Sequence, residues 1–186
     1  MYALTIASSF IVGALVILQL AGMHVFLADQ LQHANSERTA LEVGAALAEV
    51  LEHDLRRMGL DMEDPRGAIV AADSTSISFW GNLDDDALLE NVTYSLGATS
   101  TAAETSNPND RVLFRVVDSE PATDPALGVV DFHLTYFDYT GTETNDWGSV
   151  RSIRYTITVE SPEPTDPFDP VQATTSGVVF PRNLTL

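Results

Sequence analysis

Residues 1–30 read MYALTIASSFIVGALVILQLAGMHVFLADQ, with no Asp, Glu, Lys or Arg before Asp29. The chain as a whole is strongly acidic, with a formal net charge of −18 over 186 residues. A secretory signal has a basic start, an apolar stretch of about 7–15 residues and a small-residue cleavage site. This segment lacks the first and exceeds the second. From Ala3 to Ala28 the apolar run reaches the roughly 20 residues that a bilayer crossing requires, so a membrane span is its first reading.

The next stretch, DQLQHANSERTALEVGAALAEVLEHDLRRMGL (29–60), continues without a proline until Pro65. Leu41, Gly44, Leu47, Ala48, Leu51, Leu55 and Met58 recur at helical three-and-four spacing, with Glu42, Glu49, Glu52, Arg56 and Arg57 on other faces. The pattern predicts one uninterrupted helix, apolar and then amphipathic, stopped by Gly59 and the DMEDPRG cluster. At ~1.5 Å per residue, nearly 60 residues span about 90 Å, and only half of that length can pack on a small domain. In the apolar half, Gly13, Ala14, Ala21 and Gly22 permit close backbone approach between helices. Ser8, Ser9, Gln19 and His24 can bond across such an interface.

From Ala68 the period changes to two. AIVAADSTSISFWGNL, NVTYSLGA, DRVLFRVVD, GVVDFHLTYFDYTG and SVRSIRYTITVES are β-branched and aromatic runs separated by Asn, Asp, Gly and Pro, which predicts five or more strands. One face of VDFHLTYFDY carries Val130, Phe132, Leu134 and Tyr136. In SIRYTITVE, Ile153, Tyr155, Ile157 and Val159 alternate with Arg154, Thr156 and Thr158, and the two strands are expected to pair as a hairpin. The economical cover for this sheet is the amphipathic half of the helix. The expected class is α+β: 1–30 an apolar membrane or assembly helix, its apolar half protruding; 31–60 an amphipathic helix on the head; 61–186 an antiparallel β-rich head. Leu41, Leu47, Leu51, Leu55 and Met58 are the expected helix-to-head contacts.

All nine basic residues are arginine and face 27 acidic ones, a balance that phosphate backbones and anionic headgroups repel. Nucleic-acid binding is therefore disfavoured. The absence of Cys excludes disulfides, thiolate metal sites and cysteine nucleophiles. No G-x-S-x-G, H-E-x-x-H or P-loop pattern occurs, His24, His33, His53 and His133 are scattered, and the expectation is a non-enzyme with no cofactor and no metal. Glu49, Glu52 and His53 share neighbouring helix turns where a metal can sit, but a solvated face explains them more simply. Asn82, Asp84, Asp85 and Asp86, and Asp138, Glu143, Asn145 and Asp146, make oxygen-rich loops of the kind calcium uses; solvated turns are again the simpler reading. Asn91-Val92-Thr93 and Asn183-Leu184-Thr185 fit the N-glycosylation pattern. Phe79, Trp80, Tyr136, Phe137, Tyr139 and Trp147 are read first as core aromatics.

The chain-initial apolar helix, its extension ending LEHDLRRMGL, the FDYTG turn before VRSIRYTITVE and the terminal FPRNL together resemble the type IV pilin and pseudopilin family. The similarity is closest to PilW-like minor pilins and J-type pseudopilins. The resemblance implies a helix held in the inner membrane until extraction and then bundled in the core of an extracellular filament with copies of itself or other pilin-like subunits. It assigns assembly to Met1, Thr5, Phe10, Ile11, Gly13, Leu15, Leu18, Leu20, Gly22 and Phe26. Processed chains of the family begin with an apolar residue and carry Glu at the fifth position, where it meets a neighbour's terminal amine. Met1 fits such a start. Thr5 cannot supply the charge that offsets a buried ammonium, which implies a replaced contact or a special place such as the filament tip. The alternative reading is a single-pass, membrane-anchored envelope binding module that does not polymerise.

Overall fold

The computed structural model describes residues 2–86, 88–103, 105, 107–118, 120, 126–161 and 170–185; Met1 and the side chain of Thr5 lie outside what is described. The class is α+β, one long helix and one seven-stranded antiparallel sheet. Two compact units divide the chain, Met1–Ser36 and Glu37–Leu186. Helix α1 runs Tyr2–Arg57, unbroken because no proline interrupts its ladder, and it ends with Arg56 and Arg57 where the C-terminal dipole favours cations.

The strands are β1 (Ile69–Ala72), β2 (Ser76–Gly81), β3 (Glu90–Leu96), β4 (Arg111–Val117), β5 (Ala126–Phe137), β6 (Ser152–Glu160) and β7 (Gln172–Val179). They pair in chain order as a meander. Strands β5 and β6 form the expected hairpin, with Phe132 opposite Ile157 and Leu134 opposite Tyr155. The inner face is the alternation read from sequence: Phe132, Leu134, Tyr136, Ile153, Tyr155, Ile157 and Val159 are all buried. Val130 departs from it. Val129 pairs with Val159 and Asp131 with Thr158, so Val130 is the extra residue of a bulge and Val129 takes the core position.

The second half of α1 covers this face. Ala40, Gly44, Ala48, Leu51, Leu55 and Met58 are buried, and Val43 and Leu47 pack at the margin. Leu41, expected on the stripe, is instead 49% exposed. Ala40 holds the inward position one residue earlier, about 100° round the helix. The small residues lie where helix and sheet approach most closely: a Cβ on Gly44 would sit 3.1 Å from Thr175 Oγ1.

Gly59 ends the helix with φ +73°, and its N–H donates to Trp80 O at 2.9 Å. Met58 bridges to Gly81 at the end of β2, bringing the Arg57 carbonyl onto Gly81 so closely that an added Cβ would overlap it. Asn183 Nδ2 donates to Met58 O at 3.2 Å and Leu184 is buried, so the chain's last turn secures the same corner. Gly81→Ala is expected to lower stability by about 1–3 kcal/mol, because backbone cannot yield as a side chain does. Gly67→Ala, which meets nothing within 4 Å, should be near neutral. Urea denaturation of both variants checks this.

Candidate assembly helix and its anchorage

Between Phe10 and Leu31 the helix carries large apolar side chains on every side, and Asp29 is the one charged residue in the stretch. Phe10, Ile11, Leu15, Leu18, Leu20 and Phe26 are between 52% and 75% exposed, and Val12, Val16, Ile17, Met23, Val25, Leu27 and Leu31 are exposed too. Each such side chain gains about 1.5–3 kcal/mol on full burial, so these thirteen leave on the order of 10–25 kcal/mol unsatisfied in water. That rivals the whole stability of an ordinary domain, about 5–15 kcal/mol. Leaving this segment in water is therefore costly. It is long and apolar enough to cross a membrane, and beyond the adjacent backbone of the helix an added Cβ on Gly13 or Gly22 would meet nothing within 4 Å.

Further along the same helix, polar contacts tie it to the sheet. Asp54 is 1% exposed and its Oδ2 accepts from Tyr94 OH at 2.6 Å and Arg115 Nε at 2.7 Å. Tyr94 and Arg115 stand opposite each other on β3 and β4, so a single helical carboxylate fixes two strands. Two residues earlier, Glu52 accepts from Tyr155 OH at 2.6 Å and pairs with Arg56. Arg57 makes a two-pronged ion pair with Asp85, 2.9 Å on each arm. Asp85 is two-thirds exposed, so this pair orients more than it stabilises.

Burial, with these bonds beside it, favours the neutral phenols. Burial first, then the Asp54 carboxylate, push the Tyr94 hydroxyl up. Burial and the bond to Glu52 push Tyr155 up to about 12.

The metal-directed expectations resolve individually. Glu49, Glu52 and His53 do not converge: Glu52 is engaged by Tyr155 and Arg56, and His53 Nδ1 lies 3.3 Å from Asp54. Asn82 is buried and bonded to Asp61, and Asp85 is taken by Arg57. Asp84 and Asp86 instead gather with Glu90, ligand atoms within 4.8 Å, a grouping that loop spacing did not reveal. Asp138 is spent on its own turn, accepting from Thr140 N, Thr140 Oγ1 and Thr142 N, and Asp146 caps the turn at Trp147.

Phe79 and Tyr136 are core, as read, but Tyr139 is 85% exposed. It lines an open groove of about 680 Å³ with Phe137, Arg154, Val178 and Phe180, where the Arg154 guanidinium lies 4.6 Å from the centre of the Phe137 ring. No protein-family model, curated protein or solved structure matches the chain.

Asp54→Ala strands the Arg115 charge and the Tyr94 hydroxyl, and is expected to cost about 3–5 kcal/mol in denaturant titrations. The tyrosines give a second expectation. A group whose pKa is raised by folding contributes stability that is complete below its unfolded pKa and lost as pH rises through the folded one. The urea midpoint should therefore hold level to about pH 9 and fall from about pH 10 toward 12, less steeply in Tyr155→Phe.

Proposed function

We propose that this chain is a structural, non-enzymatic subunit of a type IV pilus-like or secretion-system filament, held in the inner membrane before assembly and bundled through residues 3–30 after it. The observation that carries the reading is the all-round apolar segment 10–31, continuous in one helix with a half locked onto a sheet. A helix satisfied by lipid alone needs only apolarity. This one also carries Gly13 and Gly22 with open surroundings, which allow the close helix approach that drives association where lipid and protein are equally apolar. A repeated contact between unlike surfaces of identical subunits propagates as a helical polymer when it does not close. The head, with its open groove at Tyr139 and Phe180, carries partner-specific contacts. Thr5 in place of an acidic residue suits a subunit at a special position such as the tip.

The experiment separates span from assembly. The double variant Gly13→Leu/Gly22→Leu keeps, or improves, membrane insertion but fills the approach surface. Expected is a wild-type level of protein in the membrane with at least a tenfold loss from sheared filaments. Leu15→Asp, which places a charge where either setting charges a few kcal/mol for it, should be lost from filaments too. Unchanged filament incorporation in both would sink the proposal, and a chain found only in membranes whatever its glycine content would favour the anchored, non-polymerising module.

A further inference from the structure

Among the large apolar side chains exposed on the head, three stand together. Tyr139 is 85% exposed, Phe180 65% and Val178 44%. All three line the open groove of about 680 Å³ at the end of the sheet where β5 and β7 finish and β6 begins. Arg151 and Arg154 line it as well.

These two arginines differ from others in the chain. Arg38, Arg56, Arg57 and Arg115 each pair with a carboxylate, whereas no ion pair engages Arg151 or Arg154 among the described residues. Arg151 donates to the carbonyl oxygens of Gly148 and Val150, and the Arg154 guanidinium is held over the Phe137 ring. Asp138 also lines the groove, but its Oδ1 is turned into its own loop, where it accepts from Thr140 and Thr142. In a protein of formal net charge −18, the groove thus joins exposed aromatic rings to two positive charges that no described carboxylate answers. Tyr, Phe and Arg are side chains that protein interfaces favour, and the charge selects an acidic partner.

The chain itself supplies such a partner. The connection from β6 to β7, PEPTDPFD (162–169), lies outside the described residues. Its sequence holds Glu163, Asp166 and Asp169, no basic residue and one aromatic, Phe168. Prolines at 162, 164 and 167 restrict the unbound backbone, which lowers the entropy lost on docking, as for other proline-rich segments that enter aromatic grooves. The root of the connection is fixed. Asn107 Nδ2 donates to Glu160 Oε2 at 3.0 Å and to Ser161 O at 3.3 Å, and Ser161 N donates to Val171 O at 3.1 Å. That root and the groove lie at opposite ends of the β6–β7 hairpin, since Glu160 faces Gln172 while Arg154 faces Val178. From Val171 to Val178 the strand spans ~23 Å, and the three residues from Val171 back to Phe168 reach at most ~11 Å. Phe168 therefore cannot enter the groove of its own head, and only the groove of another copy is open to it.

We propose that the groove receives the 162–169 connection of a second copy of this chain, with Phe168 set against Tyr139 and Phe180 and the flanking Asp166 and Asp169 facing Arg151 and Arg154. The two surfaces are unlike and sit at opposite ends of one hairpin, so each contact leaves a free groove at one end and a free connection at the other, and the contact repeats head to tail. What the contact builds rests on the filament reading, in which it gives neighbouring heads a seam of their own.

The absence of cysteine from the chain makes the test direct. Val178→Cys and Pro167→Cys are made separately in the full chain, held in mild detergent, then mixed and oxidised. The mixture should yield about tenfold more disulfide-linked dimer than either variant alone. Val70→Cys, also exposed, should give only background with Pro167→Cys. Adding Tyr139→Ala or Arg154→Glu to the first variant, or Phe168→Ala to the second, should cut the yield about tenfold, with Tm unchanged in the Tyr139→Ala chain. A labelled peptide of residues 161–170 should bind the wild-type chain, and about tenfold more weakly once its Phe168 is replaced by Ala. A mixture that yields no more dimer than the separate variants would overturn the proposal, as would peptide binding indifferent to both Tyr139→Ala and Phe168→Ala. Cross-linking and peptide binding as expected, in a chain absent from sheared filaments, would uphold the contact and remove the filament reading. Filaments that contain the chain but show neither would do the reverse.

Discussion

The constraint on which the rest depends is the uncovered apolar surface between Phe10 and Leu31. Thirteen large side chains facing outward on all sides of one helix set a free-energy deficit in water comparable to the stability of an ordinary folded domain. The sheet's inner face is already covered by the later turns of the same helix. The segment is long and apolar enough to cross a membrane.

The second half of the helix is firmly placed on the sheet, and its chemistry shows how. Ala40, Gly44 and Ala48 let the backbone come close to β6 and β7, while Leu51, Leu55 and Met58 fill the core further on. Greasy contact alone leaves the helix free to slide by a turn at modest cost. The Asp54 bonds to Tyr94 and Arg115 and the Glu52 bond to Tyr155 are directional, the first buried and the other two half-buried, so together they fix rotation and translation. The corner at Met58–Gly59, shared with β2 and the chain's final turn, then fixes the exit.

Much of this was legible in the residues. The change of period from 3.6 to 2 near Ala68, the stop at Gly59 and the β5–β6 hairpin each have a local cause, in side-chain spacing or turn chemistry, and the structure shows all three. Leu41 and Val130 were misplaced for related reasons: a one-residue choice of helical stripe between Ala40 and Leu41, and a bulge that inserts Val130, are decided by packing with distant strands rather than by local pattern. The polar anchors were invisible for a deeper reason. Asp54 is 61 positions from Arg115 and Asn107 is 53 from Glu160, and a lone Asp or Asn in a sequence gives no sign of which strand will bring its partner. The strand count exceeded the minimum of five because β1 is only four residues and β7 mixes Gln172, Ala173, Ser176 and Gly177 among its β-branched residues, which weakens the local β signal.

The most direct measurement of the central claim is electron microscopy of material sheared from the surface of cells that make this protein, with the intact mass of each subunit in that material determined. The account predicts thin filaments that contain this chain, bound through its N-terminal helix. A chain wholly absent from sheared filaments and recovered only from detergent-extracted membranes would contradict it.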